Sequence, residues 1–228
     1  MIARLRELRY TLIGQTRLLG GMCLQLAEDT FGIKIPVTRF FLHSYSYFFR
    51  DTTDFEDVLI RRYAEVKREL KVVCVGCARG QEPYTIAILC DELGIPVSVT
   101  AVDRSPHAIS IAREGVYDLD RERSNARNSR GEAPVRRIDA HLRWFEPAPG
   151  GHRIIAPIRA RVNFEVMDAG DIPFDGDRDV VFARNMLYYL PPAKLEDVVR
   201  RLKRALCPGL GVESIITDPI TKRKGLVR

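Results

Sequence analysis

At 228 residues the chain is long enough to bury a sizeable core and to form one or two domains, and its 46% apolar and 29% charged content is that of an ordinary globular protein. No apolar run approaches the ~20 residues that span a bilayer, which argues against an integral membrane protein. The net charge of +6 is modest, and five scattered cysteines form only one CxxC, Cys74 and Cys77, which implies neither a disulfide framework nor a metal site.

Residues 2–18 read as a helix, with Ile2, Leu5, Leu8 and Leu12 at helical spacing, broken by Gly20-Gly21. Gln15, Thr16 and Arg17 interrupt the stretch 12–22, so it lacks a signal-peptide core and a cytoplasmic protein is expected. Short helices are expected over 22–31 and 36–43, followed by the polar-aromatic connector Ser44-Tyr45-Ser46-Tyr47-Phe48-Phe49-Arg50-Asp51. Residues 54–70 are amphipathic, with Phe55, Leu59, Tyr63 and Val66 on one side.

Strand then alternates with helix. Strands are expected over 71–76, 97–102, 161–167, 179–183 and 210–216, and helices over 83–93, 105–113 and 192–206. Ser105 suits an N-cap with Pro106 at the first helical position, and Pro208-Gly209 ends the last helix. Such alternation implies an α/β fold, a parallel sheet with right-handed crossovers covered on both faces. The stretch 114–160 is too long for a simple crossover and reads as an insertion over the cofactor side. Within it, 123–134 is expected to be polar and mobile, 135–145 a short helix and 150–157 a small β element.

The most informative stretch is Val72-Val-Cys-Val-Gly-Cys-Ala-Arg-Gly-Gln-Glu-Pro-Tyr84: a strand, a glycine turn and a helix start. Gly76 and Gly80 let backbone approach a ligand closely. Asp103, ending the second strand roughly 20 residues on, stands where a ribose is commonly held. The alternative is that the glycines only make a tight turn; Asp103 weighs against it. A nicotinamide cofactor fits poorly, because the turn lacks GxGxxG and Glu82 opposes a pyrophosphate. S-adenosylmethionine has no phosphate, carries a sulfonium and an ammonium group, and suits an acidic site.

Two further constellations have two readings each. Arg184-Asn185-Met186-Leu187-Tyr188-Tyr189, after the fourth strand, is either the edge of the reactive site or a surface cation with half-buried aromatics. The connector's aromatics and Arg50 either meet a cofactor or simply staple helices to the sheet. The basic stretch carrying Arg121, Arg123, Arg127, Arg130, Arg136, Arg137 and Arg143, and the tail Lys222-Arg223-Lys224, read as a solvated loop and an end, a nucleic-acid surface or a site for an acidic protein. Aromatic interleaving is missing, so base stacking has no support.

FFRD at 48–51, GxxxGxEPY at 76–84, VD at 102–103 and RNxxxY at 184–189 together resemble the chemotaxis receptor methyltransferases, the CheR family. The resemblance runs from about residue 40 to residue 211. It implies a Rossmann-like class I methyltransferase sheet with a short N-terminal helical domain over 1–53, and an S-adenosylmethionine-binding domain over 54–228 whose insertion at about 114–160 contains a small β-subdomain. It also implies methyl transfer to glutamate side chains of a receptor-type protein, with S-adenosylhomocysteine as product. By the same resemblance, Ser46 and Arg50 contact the cofactor, Glu82 its amino-acid end, Asp103 its ribose, Met167 and Asp168 its adenine, and Asn185 its methionyl side. Gly76 and Gly80 form the turn beneath it, and Arg184 and Tyr189 face the acceptor. The expected partner is a receptor cytoplasmic helix, without specific nucleic acid, membrane insertion or metal, and the protein is expected to be a monomer. The segment before Phe48 is shorter than the family's helical domain, residues 217–228 leave little room for the family's closing hairpin, and the family's Glu-Glu is Gln81-Glu82 here. A different methyl acceptor, or a non-catalytic cofactor-binding signalling module, remain the alternatives.

A glutamate acceptor, at a reference pKa of ~4.3, is already ionised at neutral pH, so the reaction needs no general base. His43, His107, His141 and His152 are accordingly expected to be structural or surface residues.

Overall fold

The computed structural model describes residues 46–50, 55–130, 132–187, 190, 192–210 and 215–217. The helices expected over 2–18, 22–31 and 36–43, and any closing hairpin after 217, lie outside the described residues.

Helix α1 (Phe55–Val66) leads into strand β1 (Leu70–Val75), helix α2 (Gln81–Glu92), strand β2 (Val97–Asp103) and helix α3 (Pro106–Glu114). Ser105 caps α3 by accepting the Ala108 N–H at 3.2 Å, with Pro106 next to it, and Gly115 at φ +63° closes the far end. Past the insertion come β6 (Val162–Val166), β7 (Val180–Phe182), helix α7 (Pro192–Ala205) and β8 (Ile215–Ile216). These five strands form one parallel sheet in the order β6-β2-β1-β7-β8. Strand order reverses between β1 and β7, and in open α/β sheets the crevice outside the strands' carboxyl ends at that point takes the ligand.

Alternate residues of β1 face opposite layers, as the two-residue period of a strand requires. Leu70, Val72 and Cys74 pack with α1, α2 and α3, whereas Val73 and Val75 pack with Val198, Leu202 and Ala205 of α7. Among the described residues no helix is long and apolar enough to cross a membrane.

Between Gly115 and Arg161 the chain builds a second layer: β3 (Val116–Tyr117), α4 (Leu119–Arg130), α5 (Glu132–Ala140), a 3-10 turn (Leu142–Trp144), β4 (Phe145–Ala148), β5 (Gly151–Ile154) and α6 (Ala156–Arg159). The strands form a separate antiparallel sheet, β3-β5-β4. Here the structure corrects the sequence reading. Residues 123–130 and 132–134 are helical rather than a mobile loop, the helix expected over 135–145 ends at Ala140, and the β element occupies 145–154. The cause lies in contacts that composition does not display. The Asp118 carboxylate accepts the Asp120 and Arg121 N–H groups at 3.1 Å and starts α4. Leu119, Glu122 and Ala126 are buried beneath it, and Arg123 joins Asp120 on α4 to Asp139 on α5.

Candidate active site

The edge where the strands' carboxyl ends emerge carries most of the expected site residues, in spatial order. Val166 ends β6 and is followed by Met167 and Asp168; Asp103 ends β2; the Gly76–Gly80 turn follows β1; Arg184 and Asn185 follow β7.

The turn is built by backbone bonds. The N–H groups of Gly76 and Cys77 both donate to the Val102 carbonyl, at 2.9 and 3.0 Å, and Gly80 N–H donates to Cys77 O at 3.0 Å. Gly76, Ala78 and Gly80 all have positive φ. Gly80 has no substitute: at φ +88° a Cβ would lie 2.9 Å from Ala112 Cβ and 3.0 Å from Phe164 Cζ. A Cβ on Gly76 would lie 3.0 Å from Met186 Cβ, so this glycine lets the turn sit against the loop after β7.

Asp103 is anchored from both sides, its Oδ2 accepting the Ala78 N–H and its Oδ1 the Ser105 N–H, each at 2.9 Å. A carboxylate has about four acceptor positions, so these bonds orient it and leave room for hydroxyl donors. Met167 N–H donates to Asp103 O at 3.0 Å. Met167 itself is half-buried, and the exposed Asp168 accepts the Gly170 N–H at 2.8 Å, which fixes the start of the following 3-10 turn.

Glu82, in the first turn of α2, is joined to the segment 46–50 and to the loop after β7. Arg184 Nη1 donates to Glu82 Oε2 at 3.0 Å and to the Arg50 carbonyl at 2.9 Å, and Arg50 Nη2 donates to Asn185 Oδ1 at 2.8 Å. Asn185 holds φ +55°, a conformation that asparagine tolerates better than most residues. Burial pushes the Glu82 carboxyl above its ordinary range, and the Arg184 and Arg50 charges only partly oppose it. The Arg184 side chain is 3% exposed and its guanidinium lies 4.8 Å from the Phe55 ring centre. It points into the protein, not outward as an acceptor-facing residue would. Ser46 is half-exposed at the start of the same segment, and Tyr189 lies outside the described residues.

The segment 46–50 is wedged between the main sheet and the insertion. Phe49 N–H donates to Thr85 Oγ1 at 3.1 Å, Phe48 meets Tyr117 and Phe145 edge-on at 4.9 and 5.2 Å, and the Phe49 ring lies 4.1 Å from that of His141. His141 is thus a packing residue, tied also to Glu92 at 2.7 Å. Cys74 and Cys77 are buried, and burial pushes both thiols well up, so neither is poised as a nucleophile. The sequence reading missed Gln81 and Glu122, which meet behind the turn. The signal was present: Glu122 lies three residues after Leu119 and four before Ala126, on the apolar side of α4.

Residues 44–212 match the family described as CheR methyltransferase, SAM binding domain. The chain belongs to the CheR methyltransferase family. It is 32% identical over 196 residues to a chemotaxis protein methyltransferase of Vibrio parahaemolyticus, covering 79% of this chain and 67% of that protein. It is 28% identical over 206 residues to chemotaxis protein methyltransferase 1 of Pseudomonas aeruginosa, covering 84% of this chain and 72% of that one. A probable biofilm formation methyltransferase, WspC, of Pseudomonas putida is 28% identical over 182 residues, but the match spans 76% of this chain and only 39% of WspC. Membership makes the chain an S-adenosylmethionine-dependent methyltransferase. The residues at the edge fit that molecule chemically: acids for hydroxyl and ammonium groups, a guanidinium for a carboxylate, and no phosphate-cradling GxGxxG.

Proposed function

We propose that the protein methylates glutamate side chains of a chemotaxis-receptor-type protein in the cytoplasm, acting as a monomer on a receptor helix. When bound, S-adenosylmethionine supplies a methyl group made electrophilic by its sulfonium sulfur. The residues of this chain bind, orient and exclude. Asp103 holds the ribose hydroxyls, Met167 and Asp168 border the adenine, and Glu82 holds the ammonium group. Arg50 and Ser46 meet the cofactor's carboxylate end, and Asn185 lines the methionyl side. A cation beside Glu82 favours its ionised form, which its burial otherwise disfavours.

Arg184 is a positioning residue in this reading. Buried and bonded to Glu82 and to the Arg50 carbonyl, it aligns both cofactor-binding groups and leaves the acceptor to other residues. Tyr189 steers the acceptor with its hydroxyl. The acceptor is a carboxylate at neutral pH, so positioning in line with the methyl–sulfur bond carries the rate, an effect worth several kcal/mol. Residues 1–53 and the insertion at 114–160 are the parts that meet the protein partner.

The observation that carries the reading is the Glu82–Arg184–Arg50–Asn185 network beside the glycine turn, at the crevice where strand order reverses. Labelled S-adenosylmethionine incubated with receptor cytoplasmic fragments tests it. Label that appears on the receptor and leaves in mild base, as a methyl ester does, supports glutamate methylation. Base-stable label means another acceptor.

A further inference from the structure

One buried acid takes no part in the chemistry above. Glu122 on α4 is 6% exposed, and its Oε1 accepts a hydrogen bond from Gln81 Nε2 at 3.1 Å. Two atoms of this pair are buried with no hydrogen-bond partner, Gln81 Oε1 and Glu122 Oε2. With Glu122 ionised, both atoms are acceptors; the Phe48 N–H faces the carboxylate, but neither atom has a direct hydrogen bond, which is costly in a buried site. A proton on Oε2 turns that oxygen into a donor, and Gln81 Oε1 is its complement within the same pair.

We propose that Glu122 is a neutral carboxylic acid closed into an acid–amide pair with Gln81, and that this pair positions the first turn of α2 for donor binding. Gln81 directly follows Gly80 and precedes Glu82. Its backbone carbonyl accepts Thr85 Oγ1–H at 2.8 Å, and Thr85 Oγ1 in turn accepts the Phe49 N–H at 3.1 Å, next to Arg50. Glu122 therefore acts through Gln81 on Glu82 and on the segment carrying Arg50. Burial pushes its carboxyl up to about 7, against the Gln81 amide, the Phe48 N–H and the charges of Arg79 and Arg121. Tyr117 of β3 faces the same acid; burial pushes its hydroxyl well up, and it donates to the Arg79 carbonyl at 2.6 Å. The effect on donor binding rests on the cofactor reading above; the protonation does not.

Infrared spectroscopy and calorimetry on the full chain test it. We expect a carboxylic-acid C=O band at about pH 6 that titrates away by about pH 9 and is missing from Glu122→Gln. In Glu122→Gln the new amide makes the same ring without a titrating proton. With S-adenosylhomocysteine as probe, the wild type loses about five-fold in affinity relative to Glu122→Gln over that range, equivalent to about 1 kcal/mol. Gln81→Glu sets two carboxyls face to face and weakens binding; the swap Gln81→Glu/Glu122→Gln restores it. A band untouched by Glu122→Gln, an affinity ratio constant with pH, or a swap that fails to rescue would each overturn the proposal. A wild type that binds no donor at any pH would remove both the cofactor reading and the positioning half, and the infrared band would then decide the protonation by itself.

Discussion

Each edge of the central sheet holds a carboxylate against an arginine, and the two pairs are built differently. At the amino edge, Asp179 is fully buried and accepts from both Nη1 and Nη2 of Arg68 at 2.8 Å, from the Lys71 N–H at 2.8 Å and from Cys207 Sγ at 3.6 Å. Burial pushes its carboxyl up, but these donors outweigh it and hold the group below its ordinary range. At the carboxyl edge, Glu82 meets Arg184 through a single nitrogen that it shares with the Arg50 carbonyl. There burial wins, and the carboxyl stays above its ordinary range. A carboxylate satisfied on every side is a clamp. One left short of donors keeps capacity for a cation from outside, which is what a binding group needs.

The largest effect should come from breaking the clamp. Asp179→Ala strands the Lys71 N–H and frees Arg68, at a cost of about 3 kcal/mol in urea denaturation, while donor affinity of the folded protein stays put. An unchanged unfolding free energy would erase the distinction between the edges. Next, Asp103→Ala removes the proposed ribose partner and the anchor of the Ala78 and Ser105 N–H groups. Calorimetric titration should then read ten- to hundredfold weaker S-adenosylmethionine binding, roughly 1.5–3 kcal/mol. Glu82→Gln tests the other edge: about ten-fold weaker donor binding, with a smaller loss of unfolding free energy than Asp179→Ala, because the amide still accepts from Arg184 although that buried guanidinium loses its counter-ion.

The pairs should also respond oppositely to pH. Asp179 binds its proton more weakly in the folded state, so its contribution is present above the unfolded value of 3.8 and is lost as pH falls through the lower folded value. Glu82 binds its proton more tightly when folded, so its contribution is present below 4.5 and is lost as pH rises through the higher folded value. Denaturation across pH should show Asp179→Asn flattening the acid limb and Glu82→Gln flattening the decline above it. Glu122 contributes a decline of the same sign as Glu82, so Glu82→Gln is best compared on a Glu122→Gln background. The smallest effect concerns Tyr189→Phe, which should lower turnover a few-fold and leave donor affinity within that margin; a larger loss of affinity would move this tyrosine into the cofactor shell.

The parallel sheet, the glycine turn, the Ser105 cap and Asp103 at a strand end were legible in the sequence. Each follows from a local rule: a two-residue or 3.6-residue period, the backbone freedom of glycine, or the position of an acid after an apolar run. The inward turn of Arg184, the Arg68–Asp179 clamp and the Gln81–Glu122 pair were not, because their partners are 102, 111 and 41 residues away in the chain. Only packing decides whether such a charge finds a partner or faces water. The helices of the insertion belong with these. Read alone, the stretch 123–134 is polar enough for a loop, and residues 123–130 become helix because Asp118 caps α4 and because Glu122 and Ala126 are buried against the rest of the protein. The sequence by itself determined which residues could meet at the sheet's edge; the tertiary structure decided which acids were satisfied there, since desolvation and donor count depend on neighbours that only the fold supplies.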